Sequence, residues 1–201
     1  MIDKTSLVVW ITTLTIGVCA LMLVTGPTHP EHYMAVTALI SFAIAVFGLR
    51  EIISLDQQGA SISAVSAATA RYMGLVYAWG AVALFVTYFF ILPEWHEWPV
   101  FCAAFAVVAA VSLLFAAVMS KDAERGKDDP TLLKIGRILT IVQFAGTIVA
   151  VIGLMIDPDK QFLNPERRDW AAQTVFLFGA IALAAISAAA LFYTRDRVPA
   201  A

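Results

Sequence analysis

The chain has 201 residues, of which 61% are hydrophobic and 14% charged, and its formal net charge is -2. Soluble domains carry about 25% charged residues, so this composition excludes an ordinary soluble domain. No basic stripe is present, which argues against nucleic acid as a partner. Both cysteines, Cys19 and Cys102, lie within apolar runs, which argues against a disulfide framework or a CxxC site.

The first predicted element is an apolar run over about residues 6–25, after the opening MIDK. A helix needs roughly 20 apolar residues to cross the hydrocarbon core of a bilayer. The run is longer than the apolar region of a signal peptide, and no A-x-A cleavage site follows it. We therefore predict a membrane-spanning helix here.

Five further runs lack Asp, Glu, Lys, Arg and His in their interiors. They predict spans over about residues 34–50, 73–92, 99–119, 138–156 and 171–193. Backbone groups in lipid must hydrogen-bond within their own segment, and the ten-residue alternation of a membrane barrel is absent. The predicted fold class is therefore all-α: a polytopic membrane protein with six transmembrane helices.

Prolines mark the predicted outer turns at a nearly constant interval. Pro27, Pro93 and Pro158 are separated by 66 and 65 residues (93 minus 27, 158 minus 93). This period predicts three tandem hairpins within one domain over residues 1–201, covering about 6–50, 73–119 and 130–193. A regular six-span chain without any duplication would give the same spacing.

The basic residues predict the orientation of the spans. With both termini in the cytoplasm, ten of the 13 Lys and Arg residues fall on the inner side, and Lys160, Arg167 and Arg168 fall outside. The positive-inside rule therefore favours an N-in, C-in arrangement. The localisation that follows is a cell membrane, with the Ala-rich composition favouring a bacterial inner membrane.

The two inner links carry helix-end signals. Gly126 is a predicted helix stop, and Asp129 with Pro130 predicts the cap and first residue of the next helix. Gly59 is a predicted break, and Ser61 a predicted cap of the piece after it. That piece, between the second and third spans, is interpreted as a short interfacial helix or as a plain loop.

Three tandem hairpins in about 200 residues, with both ends inside, resemble the HdeD-type acid-resistance membrane proteins. The resemblance is one of architecture and extends over all six spans. It implies a six-helix fold and assigns no role to any residue of this chain.

The histidines and their acidic neighbours form a candidate metal site on the predicted outer face. The residues are His29, His32, His96, Glu31, Glu94 and Glu97. Imidazole and carboxylate are ligands that zinc, copper or non-haem iron accept. The alternatives are a pH-sensing cluster and ordinary solvated turns, with Trp95 and Trp98 as interfacial anchors.

Ionisable residues within spans usually mark proton relays, ion paths and substrate sites, and the interiors of the predicted spans contain no Asp, Glu, Lys, Arg or His. Gln143 is the polar residue that most needs a partner, and we expect it to bond another helix or a water. Gln143, Thr147 and Gln173 are the candidate intramembrane contacts for a ligand. Haem, phosphate-loop, esterase and HExxH protease motifs are missing, so no cofactor is predicted apart from the metal alternative.

Small residues at a spacing of four predict where helices pack closely. They are Ala180, Ala184 and Ala188 in the last span and Ala106 with Ala110 in the fourth. The expected use is packing of the hairpins on each other, with homo-oligomerisation as the second use.

Three functions stay open from the sequence. The first is a non-enzymatic accessory, assembly or stress-related subunit that acts through helix packing with protein partners. The second is a small permease or channel for a neutral solute, with a cavity near Gln143. The third is a metal or pH-responsive protein that uses the outer His/Glu cluster. The lack of catalytic motifs favours a non-enzymatic role.

Overall fold

The computed structural model describes residues 30–90, 98–156 and 170–195, and these form five α-helices. The helices are α1 (Pro30–Gln57), α2 (Ile62–Phe90), α3 (Trp98–Glu124), α4 (Pro130–Met155) and α5 (Trp170–Tyr193). The described part of the chain is thus all-helical, as the apolar runs predict.

Four helices within the described residues are long and apolar enough to cross a membrane, which indicates a membrane protein. Their apolar segments are Ile62–Val86, Pro99–Glu124, Pro130–Gly153 and Val175–Thr194. The predicted span over 34–50 lies inside α1, which is not one of these four. The predicted span over 6–25 lies outside the described residues, so the count of six stays a prediction.

The core lies between α1, α2 and α5. Its largest fully buried side chains include Ile44 and Ile52 from α1, Tyr72 and Leu84 from α2, and Ile186 from α5. α3 packs mainly along α2, and α4 packs mainly along α5. α3 and α4 are consecutive in the chain yet make few contacts with each other.

Two glycines on α2 allow its close approach to α3. A Cβ at Gly80 would lie 2.6 Å from Cδ1 of Phe105, and one at Gly74 would lie 2.8 Å from Cγ of Leu113. Small residues let helix backbones come together where no hydrophobic effect drives them. Because of this approach, α3 is held against α2 rather than against α4.

The link between α1 and α2 confirms two predicted signals and corrects one prediction. Gly59 has φ +63°, and the Ser61 hydroxyl accepts a hydrogen bond of 3.2 Å from the Ala64 amide. The following piece is neither an interfacial helix nor a loop, because it is the continuous start of α2. Its Val65 and Ala68 are buried in the main core, which holds it along the bundle.

The link between α3 and α4 has the predicted ends. α3 ends at Glu124, and Gly126 follows with φ +63°. Asp129 caps α4 through a side-chain oxygen that accepts from the amides of Thr131 and Leu132, at 2.8 and 3.4 Å. Pro130 opens the helix, so this prediction is confirmed.

The predicted packing face of α3 is wrong. Ala106 and Ala110 are exposed, whereas Ala109 and Ala116 are buried. Spacing by four marks a helix face without saying which face meets a neighbour. On α5 the prediction holds in part, since Ala180 is buried and Ala188 is exposed.

Candidate functional site

The candidate site is a cavity of about 700 Å³ between α2, α3, α4 and α5. Its wall on α2 extends from Ile62 to Gly80, which is 18 residue steps (80 minus 62). At about 1.5 Å per step this is about 27 Å, close to the ~30 Å hydrocarbon thickness of a bilayer. The cavity therefore follows the length of the bundle.

The cavity opens sideways, between α3 and α4. Val107 and Val111 of α3 line it and are 61% and 58% exposed, and Val142 of α4 lines it and is 62% exposed. These side chains face both the cavity and the outer surface because α3 and α4 barely touch. In a bilayer, this opening would face the lipid chains.

The end of the cavity near the α3–α4 link has an apolar floor. Ile62, Phe115 and Leu133 line this end, and they pack with the buried Met119 and Ala67. This packing separates the cavity from the link on that side.

A hydrogen-bonded clamp lies just beyond this floor, at the start of α2. One carboxylate oxygen of Asp128 accepts from the backbone amide of Ser63 at 3.0 Å and from its hydroxyl at 2.7 Å. The same hydroxyl lies 3.2 Å from the Lys127 carbonyl. The clamp joins the first turn of α2 to the α3–α4 link and places the starts of α2 and α4 at the same end of the bundle.

A polar contact crosses the middle of the cavity wall. The Tyr77 hydroxyl on α2 donates a hydrogen bond to Oε1 of Gln143 on α4. The Thr147 hydroxyl stays within its own helix, 3.0 Å from the Gln143 carbonyl and 2.8 Å from the Phe144 carbonyl. The side-chain oxygen of Gln143 therefore accepts the hydrogen bond from Tyr77, and the amide NH2 group is a donor for other contacts.

Two buried polar atoms at the cavity have no hydrogen-bond partner in the described structure. They are the Ser41 hydroxyl of α1 and the Trp79 indole nitrogen of α2; the two residues are 2% and 6% exposed. Both residues line the cavity. A buried polar group left unpaired costs about 1–3 kcal/mol, so a ligand with a matching group would relieve this cost.

The structure brings two of the three predicted intramembrane contacts together. Gln143 and Thr147 both line the cavity. The expected bond from Gln143 to another helix is confirmed by its contact with Tyr77. The side chain of Gln173 is outside the described residues.

The predicted outer cluster also falls outside what the structure describes. This applies to His29, Glu94, His96 and Glu97 entirely, and to the side chains of Glu31 and His32. Among the described residues, no group of three or more His, Cys, Asp or Glu side chains is placed to hold a metal. The metal alternative stays a prediction.

Sequence reasoning missed an ion pair inside the bundle. Arg71 of α2 pairs with Glu51 of α1, and the Tyr72 hydroxyl donates to the same carboxylate at 2.9 Å. Arg71 lies within the helical segment Ile62–Val86, which begins eleven residues before the predicted span over 73–92, so the pair lies at the end of α2 that precedes this span. The sequence signal for this ion pair was the acidic Glu51 near the end of one helix and the basic Arg71 in the first half of the next.

Comparison of the chain with protein family models, with curated proteins and with solved structures found no match. The architectural resemblance to the HdeD-type proteins therefore has no support from a sequence or structure match. The cavity and its contacts are the basis for assigning a function.

Proposed function

We propose that this is a multi-pass integral membrane protein that binds a small, largely apolar solute in the cavity between α2, α3, α4 and α5. The observation that carries this proposal is the 700 Å³ cavity with its few polar groups. Ligand sites usually have about 300–1,000 Å³ and a mostly apolar lining with a few placed polar groups. Tyr77, Gln143 and Trp79 are such groups here.

We therefore favour the permease or channel alternative over the accessory-subunit alternative. A protein that acts only through helix packing has no need for a chamber of ligand size along its axis. The side opening between α3 and α4 gives an apolar solute a route from the bilayer. No catalytic arrangement is invoked, and binding or passage of the solute is the proposed activity.

The proposal includes the finer topology. Six spans in three hairpins with both termini in the cytoplasm put Lys121, Arg125, Lys127 and Lys134 on the inner side, where the positive-inside rule favours them. These residues lie at the end of the bundle that carries the Ser63–Asp128 clamp. We place the protein in a bacterial inner membrane.

The accessory-subunit alternative would use the outer faces of α3 and α4 as its contact surface. Leu114 and Val118 of α3 and Val149 of α4 are exposed at 67%, 47% and 69%. Lipid tails satisfy such faces as well as a protein partner does, so exposure alone does not favour a partner. Stoichiometric co-purification of a second protein, or of a second copy, would favour this function.

A cavity-filling variant with a matched control tests the proposal. Gly146 lines the cavity and Gly153 does not, both lie on α4, and a Cβ at either position meets nothing within 4 Å. Native mass spectrometry of the purified full-length protein should show a bound small apolar molecule in the wild type and in Gly153→Phe. Gly146→Phe should lose it. Equal retention in both variants, or a wild type without any such molecule, would contradict the proposal.

Cysteine accessibility tests the topology. Single cysteines at His96 and at Lys121 should be labelled from opposite sides of the membrane by an impermeant maleimide. Labelling of both from the same side would overturn the arrangement.

A further inference from the structure

We infer that the solute is a neutral ring compound with carbonyl groups, of the quinone type, and that a carbonyl oxygen accepts hydrogen bonds from Trp79 and Ser41. This inference rests on the proposed function and adds the chemical class of the ligand. It follows from the polar and aromatic groups that line the cavity at the level of Phe105.

Ser41 and Trp79 lie at the same level of the bundle. Their helices, α1 and α2, are antiparallel because the link over 58–61 turns the chain back. Gly48 of α1 packs against Tyr72 of α2, since an added Cβ would lie 2.9 Å from Cγ of Tyr72. Ser41 lies seven residues before Gly48 (48 minus 41), and Trp79 lies seven after Tyr72 (79 minus 72). At about 1.5 Å per residue, both are about 10 Å from this contact in the same direction.

Aromatic rings surround the cavity at this level. Gly80, next to Trp79, faces the Phe105 ring. That ring is edge to face with Tyr77 and Phe176, at 5.4 and 5.5 Å between centroids. All four aromatic residues line the cavity. Aromatic side chains favour edge-to-face and offset-stacked contacts with other flat rings, so this region suits a ring better than a straight chain.

The polar groups of this region require a ligand that accepts hydrogen bonds. The indole nitrogen of Trp79 and the hydroxyl of Ser41 are buried and have no partner among the described residues. An indole N–H can only donate, and a hydroxyl can donate as well as accept. The oxygen of Gln143 accepts from Tyr77, so its amide NH2 is a third donor at the wall. One carbonyl oxygen of a quinone can accept from Trp79 and Ser41, and its second carbonyl can accept from Gln143.

The distribution of charge favours a neutral ligand. Among the described residues that line the cavity, Arg137 is the one with a charged side chain. It lies six residues before Gln143 on α4 (143 minus 137), which is about 9 Å nearer the other end at about 1.5 Å per residue. Arg137 also has an interaction partner of its own. A buried ion without a partner costs far more than a buried carbonyl that receives hydrogen bonds, so an ionised ligand is disfavoured at this level.

The side opening between α3 and α4 connects this level with the bilayer. Val107 of α3 follows Phe105 by two residues, and Val142 of α4 directly precedes Gln143. Both valines line the cavity and are exposed on the outer surface. An apolar substituent of the ring can therefore extend into the lipid while the ring stays between the helices. This makes the bilayer the source of the ligand.

Duroquinone and durene test the inference, because both carry four methyl groups on one six-membered ring and only duroquinone has carbonyl groups. Duroquinone has no free ring position, so it does not add to the thiol of Cys102. The full-length wild type in nanodiscs should bind duroquinone about tenfold more tightly than durene, as two hydrogen bonds predict. Binding is measured with labelled probes at equal concentration in the bilayer, with empty nanodiscs as the blank.

Ser41→Ala and Ser187→Ala form a matched pair of variants. Both serines are buried with hydroxyls that lack a partner in the described structure, and Ser41 lines the cavity whereas Ser187 does not. Ser41→Ala should reduce the preference for duroquinone about threefold, and Ser187→Ala should leave it unchanged. Trp79→Phe keeps a ring and removes the donor, so it should reduce the preference by a similar factor or more. Equal effects of the two serine variants, or an unchanged preference in both Ser41→Ala and Trp79→Phe, would overturn the inference.

The outcomes separate this inference from the proposed function. Equal binding of duroquinone and durene by the wild type, with both lost in Gly146→Phe, would overturn the carbonyl ligand and leave the apolar cavity site standing. Binding of both probes that Gly146→Phe leaves unchanged would overturn both. Binding of neither probe would overturn the carbonyl ligand, and native mass spectrometry would still decide the proposed function. If Trp79→Phe does not fold, the preference of the wild type and the two serine variants decide the matter.

Discussion

The hydroxyl of Tyr77 and the side-chain oxygen of Gln143 form a hydrogen bond that joins α2 to α4 across the cavity wall. The two helices otherwise meet at few points. This bond therefore holds one side of the cavity in place, and it stands next to the space that a ligand would occupy.

A double-mutant cycle measures this bond. Tyr77→Phe and Gln143→Leu should each destabilise the protein, and the two together should cost less than their sum. Interhelical hydrogen bonds in membrane proteins contribute about 0.6 kcal/mol on average and about 1.7 kcal/mol at most, so a coupling energy of about 1 kcal/mol is expected. Steric-trap unfolding in bicelles measures all four proteins. Additive effects would show that the bond does not form.

The contact of Gly80 with Phe105 gives a second prediction. Gly80→Ala should destabilise the protein by about 1–3 kcal/mol, the usual cost of overpacking. The Phe105 ring cannot move away easily, because it is edge to face with Tyr77 and Phe176, at 5.4 and 5.5 Å between centroids. Thermal unfolding in detergent measures the change.

Gly146→Ala is the control for Gly80→Ala. A Cβ at Gly146 meets nothing within 4 Å, so only the backbone effect of removing a glycine remains. Alanine favours a helix interior over glycine by up to about 1 kcal/mol, so this variant should be neutral or more stable. Equal destabilisation by both substitutions would mean that close approach at Gly80 is not the cause.

Local signals in the sequence were enough to predict the helix ends. Gly59 and Gly126 take a positive φ, and Asp129 caps α4, because these effects depend on neighbours within about one turn. The apolar runs likewise predicted all five described helices, four of which are long and apolar enough to cross a membrane. These parts of the fold need no tertiary information.

Tertiary packing decided the features that the sequence did not reveal. The first turns of α2 contain Ser63, Ser66 and Arg71, which look like a polar link until Glu51 and Asp128 are seen beside them. The cavity exists because α3 packs along α2 and stays apart from α4. The close contacts at Gly74 and Gly80 hold α3 in this position. The spacing of small residues on α3 could not predict this packing, because Ala106 and Ala110 are exposed.

The Arg71–Glu51 pair gives a third prediction. Arg71→Met should destabilise the protein by about 1.5–3 kcal/mol, because it leaves the Glu51 carboxylate with the Tyr72 hydroxyl as its remaining described partner. Arg71→Met combined with Glu51→Leu should recover much of this loss, because an apolar pair carries no unpaired charge. Chemical denaturation of the wild type and of these two variants in mixed micelles provides the values. A double variant less stable than Arg71→Met would contradict the pairing.

The Asp128–Ser63 clamp gives the last prediction. Asp128→Ala should destabilise the protein by about 1–2 kcal/mol, because it removes two hydrogen bonds, one of them to an amide in the first turn of α2. Because the clamp also ties down the α3–α4 link, trypsin should cut after Arg125 or Lys127 several-fold faster in this variant. Asp129→Ala is the control: it removes the local cap of α4, with a similar loss of stability. It leaves the contact with Ser63 intact, so the rate of cleavage should change little. Equal cleavage rates in the two variants would show that Asp128 acts on its own helix end and does not hold the α3–α4 link to the start of α2.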